Sequence, residues 1–396
     1  MTVRDDVTSR ECQACHSTVP AAAFCGSCGA DLEAPVDSWR NLLRPRVFAA
    51  APCEPVAVPR IASSLFPRLA EPSRKPFRLG MVALLAVIAM LSEVRANGPL
   101  GAVAVVGGPL LFLVYLWLAD ALRDIPRRAL LIAMVTGAGL AVSWWLFTGR
   151  LLAGSYGVTT ATGLALQNVL TDFGLAVTLG GAILMLLPAV LVRLLRVPVH
   201  EALDGFAIGA FGALSYSVAG TITWMMPQIV AGLIDSHSAW RLFTDALVYG
   251  VVDPVTTVAL GGLVGLSLWF RPNANHRGRA RAALTVCTIC AVVIYAAVWT
   301  VDAMGLPRAV ELVAGLGLAV LALITVRFAV QTALLHEAPE PTTGDPVLCV
   351  HCEKVVPDMP FCAACGAAAQ ASSYSSRCRR RESPPVRLSG AGRRAS

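Results

Sequence analysis

The sequence predicts an all-α polytopic membrane protein with about eight transmembrane helices and a small four-cysteine module at each end. Hydrophobic residues make up 56% of the 396-residue chain, and charged residues make up only 14%. Soluble domains carry about a quarter charged residues, so most of this chain is suited to a bilayer rather than to water. Long apolar segments recur through the middle of the chain, and one cysteine pattern occurs near both termini.

The cysteine pattern predicts a metal site at each end of the chain. Residues 12–28 read CQACHSTVPAAAFCGSC, residues 349–365 read CVHCEKVVPDMPFCAAC, and both follow C-x2-C-x9-C-x2-C. Each C-x2-C turn directs two thiolates at one ion, and two such turns complete the tetrahedral four-cysteine site of structural zinc. We therefore predict two structural Zn2+ sites. The predicted ligands are Cys12, Cys15, Cys25 and Cys28 at the first site, and Cys349, Cys352, Cys362 and Cys365 at the second.

These two modules, residues 10–32 and 346–368, resemble the zinc ribbons attached to many bacterial membrane proteins and regulators. A disulfide framework is disfavoured because both termini are expected in the reducing cytosol, and a redox motif would need a βαβ unit beside one C-x2-C pair. A filled four-thiolate site has no open position for a substrate. The resemblance therefore implies protein docking or sensing through a cytosolic protein partner. A further C-x2-C pair, Cys287 and Cys290, lies alone in an apolar segment, where small buried cysteines are expected.

Eight apolar segments are predicted to cross the membrane, because each approaches the roughly 20 residues that the hydrocarbon core requires. Together they form a membrane domain at residues 78–330, with the lipid bilayer as its partner. Proline interrupts or flanks the fourth to sixth segments, which is tolerated where neighbouring helices satisfy the freed backbone groups. The predicted spans are 78–95, 99–119, 129–148, 173–195, 204–226, 242–270, 282–303 and 308–330.

The distribution of arginine predicts that both termini lie in the cytosol. No secretory signal is expected, because the first 30 residues contain four cysteines and no apolar run. Cytoplasmic loops carry an excess of basic residues, and an N-terminus inside places clusters of arginine on that side and single arginines on the other. The clusters are Arg123, Arg127 and Arg128, then Arg193 and Arg196, then Arg271, Arg277, Arg279 and Arg281, against single Arg95, Arg150, Arg241 and Arg308. The expected location is the cytoplasmic membrane of a bacterium.

The segments that flank the membrane domain are expected to lack a core. Residues 33–77 contain prolines and scattered arginines with little periodicity, which is typical of an extended linker. Residues 369–396 are rich in serine and arginine and predict a disordered basic tail that favours anionic lipid headgroups. Neither segment carries a nucleic-acid reading motif or an aromatic platform, so nucleic-acid binding is not expected.

Acidic residues of the membrane domain are candidates for chemistry, since ionisable groups at membrane depth are costly and mark functional sites. Glu201 and Asp204 open the fifth span, where carboxylates also favour the positive end of the helix dipole. Asp253 lies well inside the sixth span, just before Pro254. It is a candidate either for a functional group or for a cap on backbone donors that the proline frees. Asp245 lies eight residues earlier, at a similar azimuth on a helix.

Part of the membrane domain, residues 173–255, resembles the PrsW family of bacterial intramembrane proteases. Residues 202–216 read ALDGFAIGAFGALSY, and residues 241–250 read RLFTDALVYG on the next helix. The family's first signature here contains Asp-Gly followed by spaced glycines, and the next contains Leu-Phe-Thr followed by glycine. The matching positions are Asp204, Gly205, Gly209 and Phe211, and then Leu242, Phe243, Thr244 and Gly250.

The resemblance implies a membrane protease core, but the positions of the family's reactive residues differ in this chain. The paired glutamates of the family would fall on the span before Asp204, yet no acidic residue occurs between Asp172 and Glu201. The family's Glu-Asn falls near Ser215, and its histidine falls near Trp240. Alanine, serine and tryptophan cannot activate water as glutamate and histidine do. The sequence therefore favours a core that binds membrane peptides without cleaving them.

Three functions follow from these patterns as hypotheses. The first is a catalytically degenerate relative of PrsW proteases, a pseudoenzyme with zinc ribbons for protein docking or sensing. The second is an active intramembrane protease that uses Glu201, Asp204 and Asp253, which requires these three carboxylates to converge in one cavity. The third is a small transporter or channel that uses Asp245 and Asp253 along a polar path. The sequence predicts neither a substrate nor an oligomeric state.

Overall fold

The structure, a computed structural model, divides the chain into two compact units. The ribbon unit comprises Met1–Val56 together with Ala338–Ser396, and the membrane unit comprises Ala57–Glu337. The residues that the structure describes are 9–33, 47–68, 71–118, 122–155, 163–199, 201–230, 238–273, 277–338, 340 and 344–382.

Each four-cysteine module of the ribbon unit is built on a short antiparallel hairpin. In the first module β1 (Ser9–Glu11) pairs with β2 (Thr18–Pro20). In the second module β3 (Pro346–Leu348) pairs with β4 (Val355–Pro357) in the matching register. The buried cluster of each module consists largely of its cysteines. An apolar core this small needs an additional link, such as a metal ion, to be stable.

The membrane unit is built of helices, as expected for apolar segments whose backbone polar groups must be satisfied internally. One of its helical runs contains a π-helical turn, Val248–Val252, between α7 and α8. In chain order the helices are α1 (Ile61–Leu65), α2 (Glu71–Glu93), α3 (Asn97–Leu118), α4 (Arg127–Ser155), α5 (Gly163–Leu194), α6 (Ala202–Val230), α7 (Ala239–Leu247), α8 (Asp253–Trp269), α9 (Arg277–Ala303) and α10 (Arg308–His336).

Seven helical segments within the described residues are long and apolar enough to cross a membrane, which confirms the predicted all-α, multi-span fold class. They correspond to seven of the eight predicted spans. The remaining predicted span, 173–195, falls on α5, which contributes a shorter apolar stretch, Leu179–Leu194, to the described residues. The seven segments are Lys75–Glu93, Asn97–Val114, Arg127–Gly149, Ala202–Met225, Ala239–Trp269, Arg277–Asp302 and Arg308–His336.

Close contact between α6 and α8 forms the centre of the membrane unit. Gly205 and Gly209 of α6 face Gly261 and Gly265 of α8. A methyl group added to Gly209 would lie 2.1 Å from the carbonyl oxygen of Gly261, and one added to Gly265 would lie 2.0 Å from that of Gly205. Paired glycines at this spacing let membrane helices approach closely. The glycines that carry the PrsW resemblance therefore have a packing role in this chain.

The predicted linker spans residues 33–77. Its second half, from Ala57 on, belongs to the membrane unit and is not an extended connection. Residues Ala62–Leu65 of α1 are buried, and α1 packs against α10. Residues 71–77 form the start of α2. The sequence did not indicate α1, because a helix of five residues is too short to show a hydrophobic period. Residues 34–46 of the predicted linker lie outside the described residues.

The start of the predicted disordered tail, residues 369–396, is also folded. Ala369–Ala371 form a 3-10 turn, and Tyr374–Glu382 form a helix, α11, in the ribbon unit. The remainder of the tail, residues 383–396, lies outside the described residues. The arginine-rich composition suggested a solvated segment, but several of these arginines find carboxylate partners, as described below.

Candidate metal centres and intramembrane polar sites

The eight predicted cysteine ligands form two separate clusters of four thiols. Within each cluster, the four sulfur atoms all lie within 4.8 Å of one another. The Sγ–Sγ distances include 3.7 and 3.8 Å in the first cluster and 3.8 and 3.9 Å in the second. A tetrahedral ion with Zn–S bonds of about 2.3 Å separates its sulfur ligands by about 3.8 Å, whereas a disulfide needs about 2.05 Å. Both clusters therefore fit one four-thiolate metal ion.

Matching backbone turns hold the thiols of the two modules. In each module, the N–H of a glycine that follows the fourth cysteine donates to the carbonyl oxygen of the third cysteine, at 2.8 Å. These glycines, Gly29 and Gly366, have φ angles of 71° and 73°. A left-handed backbone costs other residues about 1–2 kcal/mol. The left-handed backbone at this position therefore explains why a glycine follows the fourth cysteine in both modules.

The two modules pair with each other in a nearly symmetrical way. The Phe24 N–H donates to the Ala363 carbonyl at 3.0 Å, and the Phe361 N–H donates to the Gly26 carbonyl at 2.9 Å. Phe24 and Phe361 hold equivalent places in the repeat, as do Gly26 and Ala363. Each phenylalanine ring also lies over the left-handed glycine of the other module. The sequence repeat is thus a pair of interlocked modules, a contact that spacing within one repeat cannot reveal.

Helix α11 covers the second module through a network of buried charges. Arg377, with 3% of its side chain exposed, donates to Glu340 at 2.7 Å. Arg381, one helical turn on, donates to Asp358 at 2.9 Å and to Glu340 at 3.2 Å. Burial alone would raise the pKa of Glu340, but the hydrogen bonds and charges of Arg377 and Arg381 outweigh it and hold this pKa below its ordinary value. These arginines are therefore structural.

The outward faces of the two hairpins differ at one matching pair of positions. In the first hairpin, Glu11 is paired across the strands with Thr18, and both are polar. In the second hairpin, the equivalent pair is Leu348 and Val355, which are 44% and 57% exposed. An exposed cross-strand pair of apolar side chains on so small a module is suited to contact with another protein.

The candidate carboxylates Glu201 and Asp204 are bound within the chain. Each terminal nitrogen of the Arg68 guanidinium donates a hydrogen bond, one to Glu201 and the other to Asp204, and all three side chains are at most 8% exposed. Glu337, just after α10, accepts the N–H of Ala202 at 3.0 Å. The pKa of Glu337 is raised to about 7, chiefly by burial and also by the Glu201 and Asp204 carboxylates, while the Ala202 N–H and the Arg68 charge act in the opposite direction. The start of α6 is thus closed by one arginine and flanked by a carboxyl group that titrates near neutrality.

A buried arginine of α10 anchors the short helix α1. Arg327 is fully buried and donates to the Ser63 hydroxyl at 2.7 Å and to the Ser64 hydroxyl at 3.4 Å. Phe66, just after α1, packs on Phe112 of α3 with ring centroids 4.2 Å apart. Together with the Arg68 ion pairs, these contacts fix residues 61–68 inside the membrane unit.

Asp253 has a different environment. One carboxylate oxygen accepts the Ser217 hydroxyl of α6, and the other accepts the Thr257 hydroxyl at 3.4 Å. Both donors are side-chain hydroxyl groups and neither is a backbone N–H. These hydrogen bonds therefore do not show the capping of backbone donors that was one prediction for Asp253. Asp245, in contrast, lies 3.5 Å from the guanidinium of Arg308.

The three candidate carboxylates do not meet in one cavity. Asp253 contacts α6 at Ser217, which is 13 residues after Asp204. Because a helix rises 1.5 Å per residue, these two points of α6 are about 20 Å apart. The geometry required for a protease that uses Glu201, Asp204 and Asp253 together is therefore absent from the described residues. His200, which directly precedes Glu201, lies outside the described residues.

Sequence reasoning missed the arginines that complete these sites. Arg68 is separated by more than 130 residues from the carboxylates that it binds, and Arg327 by more than 260 from its serines. One available signal was a single arginine within an otherwise apolar span, since such residues are rarely found without a partner. The isolated pair in α9 was also misjudged, because Cys287 is half-buried and Cys290 is exposed.

Comparison with protein-family models, with curated proteins and with solved structures gave no match to this chain. The resemblance to PrsW proteases therefore has no support beyond the residues quoted for it. Function has to be argued from the chemistry of the sites themselves.

Proposed function

We propose that the protein is a non-catalytic docking protein of the cytoplasmic membrane of a bacterium. Its two ribbons hold structural zinc and bind a cytosolic protein partner, and its membrane unit is a degenerate relative of the PrsW protease core that binds membrane peptides without cleaving them. The observation that carries this proposal is the capture of Glu201 and Asp204 by Arg68.

The ion pairs argue against catalysis because a general base needs a free lone pair and a matched pKa. A carboxylate oxygen that accepts from the buried Arg68 guanidinium is occupied and is not free to take a proton from water. Asp253 of α8 contacts α6 about 20 Å beyond Asp204, too far for the two carboxylates to act together on one peptide bond. The four-thiolate sites offer no open coordination position either.

Docking is assigned to the second module because of its apolar face. Leu348 and Val355 are exposed next to each other, whereas the first module presents Glu11 and Thr18 at the matching places. The pairing of the two modules is reciprocal and occupies both of them alike, so the exposed apolar pair is the feature that distinguishes the second module. A division of labour follows, in which the first module supports the pair and the second contacts the partner.

The pairing of the modules also supports an even number of membrane crossings. Modules that share backbone hydrogen bonds must lie on the same side of a bilayer, so the chain between them must return to its starting side. Seven candidate spans alone would leave the termini on opposite sides. We therefore propose that α5 (Gly163–Leu194) also crosses, and that the arginine-rich loops place both termini in the cytosol.

The absence of catalysis is tested with the purified full chain in detergent. Metal content is measured by mass spectrometry, and cleavage is measured with a fluorescent transmembrane peptide, with and without a chelator. We expect two zinc ions per chain and no cleavage above that of a mock preparation. Cleavage that is lost in Glu201→Gln or Asp204→Asn would establish the active protease instead.

Docking is tested with a matched pair of variants. Leu348→Thr combined with Val355→Thr removes the apolar face of the second module, while Thr18→Val changes the equivalent place of the first. We expect a cytosolic protein captured quantitatively by the wild-type chain to be lost with the first variant and kept with the second, at unchanged zinc content. Equal capture by all three chains would contradict the assignment of the docking face.

A further inference from the structure

Asp253 is an acidic residue of the membrane unit for which the described residues show no cationic partner. Asp204 binds Arg68, and Asp245 and Glu311 bind Arg308. Within the described residues, the side-chain contacts of Asp253 are the hydroxyl groups of Ser217 and Thr257. It lies near the middle of a 31-residue apolar segment, Ala239–Trp269.

An unpaired carboxylate at this depth needs a positive charge. Ionised groups in a medium of low dielectric are strongly disfavoured unless they are paired or neutralised. Two hydroxyl donors reduce this penalty, but they contribute no net charge. One proton or one metal cation of single charge would remove it.

The backbone before Asp253 departs from the hydrogen bonding of an ordinary helix. The Asp253 N–H donates to the carbonyl of Val248, five residues earlier, which closes the π-helical turn. Pro254 has no N–H and cannot bond to the carbonyl of Gly250, four residues before it. Turns of this type occur frequently at functional sites in helices.

Among the described residues, the charged and titratable groups on neighbouring elements do not neutralise the Asp253 carboxylate. The nearest are phenols: Tyr249 precedes the site on the same run, Tyr295 comes from α9, and Tyr216 comes from α6. On α10, Arg308 is engaged by Asp245, Asp302 and Glu311 at distances between 2.6 and 4.0 Å. Arg308, a described cation that interacts with Tyr249 beside this site, is therefore already shared by three carboxylates.

We propose that Asp253, Ser217 and Thr257 form an intramembrane binding site for one monovalent cation, either Na+ or a proton. Carboxylate, hydroxyl and carbonyl oxygens are the ligands that hard cations prefer. A hydroxyl group can rotate from donating to the carboxylate to coordinating a cation through its lone pairs. This site is independent of the docking function, since it involves neither the ribbons nor the α6 end that Arg68 closes. A cation site at Asp253 is what a coupled transport role would require, which is the third function predicted from the sequence.

The test is the thermal unfolding midpoint of the full chain in detergent. NaCl is exchanged for choline chloride at constant ionic strength, and pH is varied separately. Because Glu337 also titrates near pH 7, all chains carry Glu337→Gln in the pH series. Asp253→Asn removes the site, and Asp245→Asn serves as the control on the same helical run.

We expect the midpoint to rise with Na+ or on acidification, since a ligand that binds only the folded state stabilises it. The rise is lost in Asp253→Asn and kept in Asp245→Asn. A response to Na+ that weakens at low pH identifies Na+ as the ligand, and a response to pH alone identifies a proton. If Asp253→Asn does not fold, Ser217→Ala and Thr257→Val should each shift the half-saturating concentration about tenfold. A wild-type midpoint that does not respond, or a response of the same size in Asp253→Asn as in the wild type, overturns the proposal.

Discussion

The two four-cysteine modules share a sequence pattern, a hairpin register and a thiol geometry, yet their surroundings differ. The second module is covered by α11 through Arg377 and Arg381, and it exposes Leu348 and Val355. The first module presents the polar pair Glu11 and Thr18 at the place equivalent to that apolar pair. The cysteines that could hold a metal ion are thus the same in the two modules, and the residues that surround them differ.

This difference teaches that the repeat determines the metal site, while function lies in what is attached to it. A four-thiolate site stabilises a module without performing chemistry. Under the proposed function, two copies that differ on one face would serve as a supporting module and a binding module within one compact unit. Four predictions test this division, and the first concerns the thiols on which each module depends.

The largest effect is expected from removing one thiol of either module. Apparent zinc binding contributes about 10 kcal/mol or more to the folding of such modules. Cys25→Ser should therefore reduce zinc from two ions to one per chain, measured by mass spectrometry. It should also weaken the second module, because the pairing hydrogen bond of Phe361 loses its support; amide hydrogen exchange at Phe361 should rise. Cys53→Ser, at an exposed cysteine outside both clusters, is the control and should keep both ions.

A smaller effect, confined to the second module, is expected from Arg377→Met. Removing one partner of a buried ion pair destabilises a fold by about 3–5 kcal/mol, and partial exposure of Glu340 places this case near the lower figure. Hydrogen exchange should accelerate most across residues 346–368 and much less across 10–32, where the change is transmitted through the hydrogen bond from Phe24 to Ala363. Arg379→Met, at an exposed position of the same helix, should change neither region. Equal acceleration in both modules would mean that α11 does not distinguish them.

The metal sites were predictable from the sequence because each depends on local spacing. Two C-x2-C turns and a following glycine place four thiols without help from distant residues, and the structure brings the predicted eight cysteines together as expected. The membrane spans were predictable for a similar reason, since hydropathy is read within one segment.

The contacts that decide function in the membrane unit were not predictable, because they join distant segments. Arg68 was assigned to a linker, yet it closes the start of α6. Gly261 and Gly265 match Gly205 and Gly209 only once two helices are placed face to face. The cover formed by α11 had one local signal, a four-residue spacing between Arg377 and Arg381 that places both on one helical face.

A symmetrical and moderate effect is expected at the glycines of the module interface. An added methyl group at Gly29 would lie 2.7 Å from the Phe361 ring, and one at Gly366 would lie 2.8 Å from the Phe24 ring. Gly29→Ala and Gly366→Ala should each destabilise the ribbon unit by about 1–2 kcal/mol from the left-handed backbone alone, with a further loss from the displaced ring. Gly344→Ala, which has a φ of 74° and open space around it, measures the backbone part by itself.

Denaturant unfolding of these three variants separates the two causes. If the interface is symmetrical, Gly29→Ala and Gly366→Ala exceed Gly344→Ala by similar amounts. A penalty at Gly29 or Gly366 no larger than that at Gly344 would show that the rings adjust freely, and the modules would then be less tightly interlocked than their reciprocal hydrogen bonds indicate.

The smallest effect concerns pH and again distinguishes the second module from the first. Because the pKa of Glu340 is lowered in the folded state, its contribution to stability is present above its unfolded-state pKa and is lost as the pH falls through the folded-state value. The expected size is about 1 kcal/mol, since the pair is partly exposed and screened by solvent. Acid also protonates the thiolates of both modules, so the informative quantity is the difference between them. Hydrogen exchange measured from neutral to acidic pH should show the second module losing protection more steeply, and Glu340→Gln should remove that excess while leaving residues 10–32 unaffected. If the two modules lose protection in parallel and Glu340→Gln changes nothing, the charged cover is incidental, and the modules differ only in their exposed faces.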